Sequence, residues 1–159
     1  MSRLWTTCLL LVLLIGTVGC DQATKHWARA TLAERTARNY LGDVVTLEYA
    51  ENAGAFLSLG AEWPPRVRFA LFTVGAPLLL AGAILALARH AASTSAIAGL
   101  VLFLGGGASN FVDRLTRGSV IDFLNVGIGP VRTGVFNVAD LAIVAGVALA
   151  AFSWTRRAQ

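Results

Sequence analysis

The sequence predicts a mainly α, integral membrane protein: a bundle of four transmembrane helices carrying a small extramembrane β-sheet or loop subdomain. Three observations predict it. The chain of 159 residues is 56% hydrophobic and only 14% charged, with a mean hydropathy of +0.67, outside what soluble domains show. Four apolar runs, about 4–20, 69–88, 96–112 and 138–154, have the roughly 17 to 25 residues needed to cross about 30 Å of hydrocarbon. Between the first two, over about 28–66, the hydrophobicity falls and a β-branched stretch appears. At this length a single membrane domain over 1–159 is expected.

The first run contains Cys8 and Cys20, too far apart for a metal motif and without a nearby histidine, so neither a disulfide nor a metal site is expected. Arg3, the apolar Leu9–Ile15 and then Thr17-Val18-Gly19-Cys20 look like a secretory signal ending in a lipidated cysteine. Three further apolar runs and an ordered polar motif after Cys20 favour a retained first helix instead. That motif is Asp21-Gln22-Ala23-Thr24-Lys25, read as a helix end at the interface, with Asp21 and Lys25 paired at i, i+4 and Trp27 as a headgroup anchor. Val44 to Ala50 alternates partially and is β-branched, which predicts a strand.

In Glu51-Asn52-Ala53-Gly54-Ala55-Phe56, Gly54 permits a bend or close backbone approach and Asn52 offers an amide. Trp63-Pro64-Pro65 breaks the chain before the second run, which Arg66 and Arg68 flank and which holds Pro77 but no ionisable group. It reads as scaffold with a kink. Arg89 and His90 close it, and Ala91 to Ser95 form a turn short enough to require an antiparallel helical hairpin. In the third run, Gly105-Gly106-Gly107 allows close helix packing, and Asn110, Asp113 and Arg114 share one helical face at i, i+3 and i+4. Asn137 is placed to cap the fourth helix, with Asp140 in its first turn.

Asp122 and Asp140 are the candidates for chemistry, because an acid beside hydrocarbon is costly and is read by default as functional. The polar clusters fall at the ends of the apolar runs, and alternating spans bring them to one membrane face. A net charge of +4 does not indicate nucleic acid, since the basic residues lie between and beside the apolar runs instead of forming a stripe with aromatics. Anionic lipid headgroups are the expected partners. Four basic residues (Arg3, Arg89, Arg156, Arg157) fall on the face opposite the motifs and nine on the motif face. The long first loop dilutes the positive-inside rule, so charge alone leaves the orientation open. His26 and His90 are isolated, which removes Cys/His nucleophilic schemes. Two function classes remain: a hydrolase built on paired aspartates, and a small proton-coupled transporter using them as a relay. The acids gather at span ends and no internal repeat is visible, which favours the hydrolase. A structural lipoprotein would rest on Cys20 alone.

Taken in order, Asp21-Gln22-x-x-Lys25, Asn52-x-Gly54-Ala55, Gly106-Gly107-Ala108-x-Asn110-x-x-Asp113-Arg114, Val120-Ile121-Asp122-Phe123 and Phe136-Asn137-x-Ala139-Asp140 resemble the motifs of the lipoprotein signal peptidase (signal peptidase II) family. The resemblance covers about residues 4–155 and implies a bacterial inner-membrane aspartyl endopeptidase. Such an enzyme removes the signal peptide from diacylglyceryl-modified prolipoproteins just before the lipidated cysteine. It implies cytoplasmic termini, an active site near the outer, periplasmic face, and Asp122 and Asp140 as the catalytic pair. Asn52, Asn110, Arg114 and Asn137 fall on positions facing substrate, and Asp21 on one supporting the site; Lys25 and Gly54 belong to the same motifs. Asp113 is the rival acid, and its neighbour Arg114 is expected to keep it ionised, so that pair is assigned to holding the site and contacting substrate. No metal or other cofactor is expected, and the chain is taken as a monomer. Phe56-Leu57 and Gly134-Val135 depart from the commoner family pattern without touching a catalytic position.

Overall fold

The computed structural model describes residues 3–55, 58–88 and 93–155. Phe56, Leu57, Arg89, His90, Arg156 and Arg157 lie outside the described residues. The first helix, α1 (Arg3–Leu32), does not end at Asp21–Lys25 as expected. It continues because Asp21, Lys25, Ala28 and Leu32 form one buried stripe with helical spacing. The upper half of the stripe is ionic and its lower half apolar. Ala28 and Leu32 pack on Phe123, with Leu47, Tyr49, Leu124 and Val138 around them. Trp27 meets Phe123 edge-on at 6.3 Å.

The expected strand is β2 (Val45–Asn52), flanked by the short β1 (Arg38–Tyr40). The sheet is larger than the sequence suggested. Strands β3 (Val120–Ile128) and β4 (Val131–Phe136), between the last two helices, complete an antiparallel sheet of order β1-β2-β3-β4. Its register sets Asp122 opposite Ala50 and Val120 opposite Asn52, so Asn52 lies diagonal to Asp122 on one face of the ladder.

After Pro64 the chain is helical from Pro65 to Ala88: α2 (Pro65–Arg68), a π-helical segment (Phe69–Gly75) and α3 (Ala76–Ala88). Pro77 has no N–H for the Thr73 carbonyl, and the widened turn lies just before it. Ser93 caps α4 (Thr94–Arg117) by accepting from the Ala96 N–H at 3.2 Å, and Gly118, at φ 77°, ends it. The last helix is α5 (Val138–Thr155).

Helix α4 is the centre of the helical part, packed against α5, α1 and α3. Glycine sets the α4–α5 distance. A Cβ at Gly99 would meet the Gly146 carbonyl oxygen at 2.7 Å, and one at Gly106 would strike the Ala139 carbonyl. Two helices, α1 and α4, are long and apolar enough to cross a membrane, and α5 carries a shorter apolar stretch, Val138–Ser153.

Candidate functional site

Lys25 is the hub of the polar interior. Its ammonium is 1% exposed and lies 2.6 Å from Asp21 Oδ2 and 2.9 Å from Asp113 Oδ2, and it donates to Asn110 Oδ1 at 2.7 Å. The expected i, i+4 pair is therefore present, buried instead of solvated. Asp21 reaches further: its Oδ1 accepts the Ala139 N–H at 2.8 Å and its Oδ2 the Ser109 hydroxyl at 2.7 Å. One carboxylate thus ties α1 to α4 and to the start of α5. Gln22 adds bonds to Ser109 Oγ at 2.9 Å and Asp113 Oδ1 at 3.3 Å.

The expected association of Asp113 with Arg114 is not what the structure shows. Asp113 takes its cation from Lys25, with Arg117 at 3.6 Å. Arg114, one residue on and so about 100° round the helix, turns away to donate to the Gly54 carbonyl at 2.7 Å.

Above the hub, three asparagine amides are fixed in orientation, each by a partner on its oxygen. Asn110 Oδ1 faces Lys25, so its Nδ2 donates to Asp140 Oδ1 at 2.9 Å. Asn137 Oδ1 accepts the Asp140 N–H at 2.9 Å, and its Nδ2 donates to Asp122 Oδ1 at 2.6 Å. Asn52 Oδ1 accepts the Gly54 N–H at 2.8 Å, and its Nδ2 donates to Asp122 Oδ2 at 2.9 Å. Asn137 is the cap of α5 foreseen in the sequence. Asp140 Oδ2 returns the bond by accepting the Asn137 N–H at 3.3 Å, the reciprocal arrangement of a capping box. Asn137 therefore bridges the two acids.

Gly54 serves by close approach. A Cβ there would meet the Ala61 N at 2.8 Å and strike the Leu59 carbonyl, so any other residue would push apart the loop that presents Asn52 and receives Arg114.

Asp122 and Asp140 are both buried and both line a cavity of about 820 Å³ between the sheet and helices α3, α4 and α5. Asn52, Asn110 and Arg114 line it on the polar side, and Leu71, Phe72, Leu79, Leu80 and Val147 among others on the apolar side. Burial pushes the Asp122 carboxyl up to about 6. The Asn52 bond opposes this, the charge of Asp140 adds to it, and the Asn137 bond and Lys25 lower it again.

All ten residues singled out in the sequence, Asp21, Lys25, Asn52, Gly54, Asn110, Asp113, Arg114, Asp122, Asn137 and Asp140, fall in one connected network. Gln22 belongs to the Asp21-Gln22-x-x-Lys25 motif but was assigned no role, and Ser109 was not singled out. The spacing of Ser109 and Asp113, four residues apart on one helical face, was the available signal for Ser109.

Residues 12–156 match the family model described as signal peptidase (SPase) II. This chain belongs to the signal peptidase II family. Among relatives, it is 34% identical to the lipoprotein signal peptidase of Syntrophomonas wolfei over 91% of this chain and 87% of the relative. It is 37% identical to that of Moorella thermoacetica over 87% and 86%. A solved structure described as a bacterial membrane enzyme superposes with a TM-score of 0.78 at 21% identity, covering 95% of this chain and 90% of that one. The sheet and helical packing of this signal peptidase II family member are thus a fold already seen in a membrane enzyme. The motifs that carried the resemblance are the segments that meet around Lys25 and the two acids.

Proposed function

We propose that this chain is an aspartyl endopeptidase that removes the signal peptide from diacylglyceryl-modified prolipoproteins just before the lipidated cysteine, with Asp122 and Asp140 as the catalytic pair. The observation that carries the reading is the bridge: Asn137 bonds Asp122 through its amide and Asp140 through its cap, and both acids open into the same mostly apolar cavity. Amide hydrolysis needs one group to take a proton from water and another to give one to the carbonyl oxygen or the leaving amine. Two carboxyls sharing a proton supply both, and their titration belongs to the pair. Asn52, Asn110 and Asn137 hold the acids in place. Arg114 and the Asn52–Gly54 loop flank the cavity where a peptide backbone would lie.

On this reading the four helical segments α1, α2–α3, α4 and α5 each cross the bacterial inner membrane, with cytoplasmic termini and the site at the outer face. Collection of the polar groups at one end of long apolar helices supports it. The transporter reading gains nothing from membership of a peptidase family. It also calls for acids near mid-span, whereas Asp122 lies on a strand and Asp140 in the first turn of α5.

The decisive experiment incubates the purified protein in detergent with a diacylglyceryl-modified prolipoprotein and, separately, with its unmodified precursor, with and without a chelator. Release of the signal peptide from the first substrate only, undiminished by chelator, is the expected result. Equal cleavage of both substrates, or of neither, contradicts the proposal.

A further inference from the structure

We propose that a second cavity, between Arg68 and Arg114, binds a phosphate-type anion, and that its occupant is the headgroup phosphate of an anionic membrane lipid. The cavity has a volume of about 350 Å³; Pro65, Arg68, Phe69, Phe72 and Arg114 line it, and no carboxylate does. Among the described residues neither guanidinium has a carboxylate within 4.0 Å. The contrast with Lys25, which contacts two, is what singles them out.

Each arginine spends hydrogen bonds on backbone carbonyls: Arg68 Nη1 on Ala61 at 3.1 Å, and Arg114 Nη2 on Gly54 at 2.7 Å. Among the described residues the Nε of each is buried without an acceptor. Buried polar groups are nearly always satisfied, and an exception asks for a missing partner. Here two exceptions belong to the two arginines of one cavity. A tetrahedral dianion or phosphodiester matches such a pair, because it offers several acceptor oxygens to planar, always charged forks.

The apolar part of the lining points to a lipid. Pro65, Phe69 and Phe72 lie where the chain turns into the α2–α3 helical segment, and Phe69 is 60% exposed. A phosphate between the arginines would have its glycerol and acyl portion lying along that face. The choice of a lipid rests on the membrane placement proposed above and not on the peptidase chemistry. Arg114 also lines the larger cavity with Asp122 and Asp140, so the two sites share one side chain.

The test uses the full chain in nanodiscs of phosphatidylcholine containing a minor fraction of phosphatidylglycerol, with the lipids retained on the protein after detergent extraction measured by mass spectrometry. Wild type should retain phosphatidylglycerol on the order of fivefold above its bulk fraction, the effect of about one basic residue at a lipid surface. Arg68→Gln should abolish the enrichment, Arg68→Lys should keep part of it, and Arg38→Gln, on the exposed strand β1, should leave it unchanged. Equal enrichment in wild type and Arg68→Gln, or an equal loss in Arg38→Gln, overturns the proposal. Thermal stabilisation of wild type by inorganic phosphate alone, without lipid enrichment, overturns the lipid as occupant. No arm requires cleavage, so the result is independent of the peptidase reading.

Discussion

Replacing Lys25 by Met tests whether the ionic hub or the apolar packing holds the helical part together. Met has nearly the length of Lys and is tolerated in cores, so the change removes charge with little change in shape. It leaves Asp21 and Asp113, 0% and 1% exposed, without the ammonium now 2.6 and 2.9 Å away. Breaking a buried pair from one side costs about 3–5 kcal/mol, and here one cation serves two acids. Arg117, at 3.6 Å and one third exposed, recovers only a small part. At roughly 2–4 °C per kcal/mol for a chain of this size, the melting temperature in detergent, read by tryptophan fluorescence, should fall by on the order of 10 °C. Adding Asp21→Asn and Asp113→Asn to Lys25→Met removes the stranded charges and should return most of the loss. The single variant should also lose cleavage beyond its loss of fold, because Asn110 Oδ1 no longer has a cation to face. The amide is then free to flip its oxygen towards Asp140. A single variant that melts within about 2 °C of wild type, a loss of about 1 kcal/mol or less and well short of the 3–5 kcal/mol expected, would show that the hub is not ionic.

Asp122→Asn and Asp140→Asn should each nearly abolish prolipoprotein cleavage, while Asp113→Asn should leave more activity but a lower melting temperature; equal total loss in three well-folded variants would remove the basis for choosing this pair. With Asp122 pushed up to about 6, kcat/KM should fall as pH rises above about 6, where the free enzyme loses the shared proton. Asn52 donates to the ionised form, so Asn52→Ala should move that limb to higher pH, and an unmoved limb would contradict the role of this bond. Gly99→Ala places a methyl 2.7 Å from the Gly146 carbonyl oxygen and should cost about 1–3 kcal/mol as overpacking, visible in thermal unfolding; unchanged stability would mean that α4 and α5 separate freely.

The helices were legible because an apolar run of membrane length has few alternative readings, and the site residues because polar side chains beside such runs are conspicuous. Strands β3 and β4 were not. Val120 to Phe123 are all buried, since β3 is an inner strand covered on both faces, and a strand of that kind loses the period-two alternation that advertises one. Asp122 was legible as a candidate for chemistry but not as a residue of a strand. Strand β1, three residues long, is too short for any pattern. The end of α1 was misplaced for a related reason: charges at the end of an apolar run ordinarily mark the interface. Nothing local to Asp21 and Lys25 discloses that their partners, Ser109, Asn110 and Asp113, come from another helix. The same limitation hid the partner of Asp113, where adjacency in sequence suggested Arg114 and helical geometry selected Lys25.

Charge balance connects this network to the chemistry proposed for it. The buried carboxyls are Asp21, Asp113, Asp122 and Asp140; the cations beside them are Lys25, Arg114 and the partly exposed Arg117. Uncompensated buried charge costs several kcal/mol per ion, so the interior favours keeping one carboxyl protonated. Discounting Arg117 for its exposure only strengthens that preference. Asp21 and Asp113 lie in direct contact with Lys25, whereas Asp122 and Asp140 receive neutral amide and backbone donors and, among the described residues, have no cation within 4.0 Å. On the proposed mechanism the proton is shared by Asp122 and Asp140, with one carboxyl as acid and the other as base, the state that water attack on an amide requires. Lys25 touches neither of the proposed catalytic groups, yet by satisfying the other two acids it reserves the proton for them.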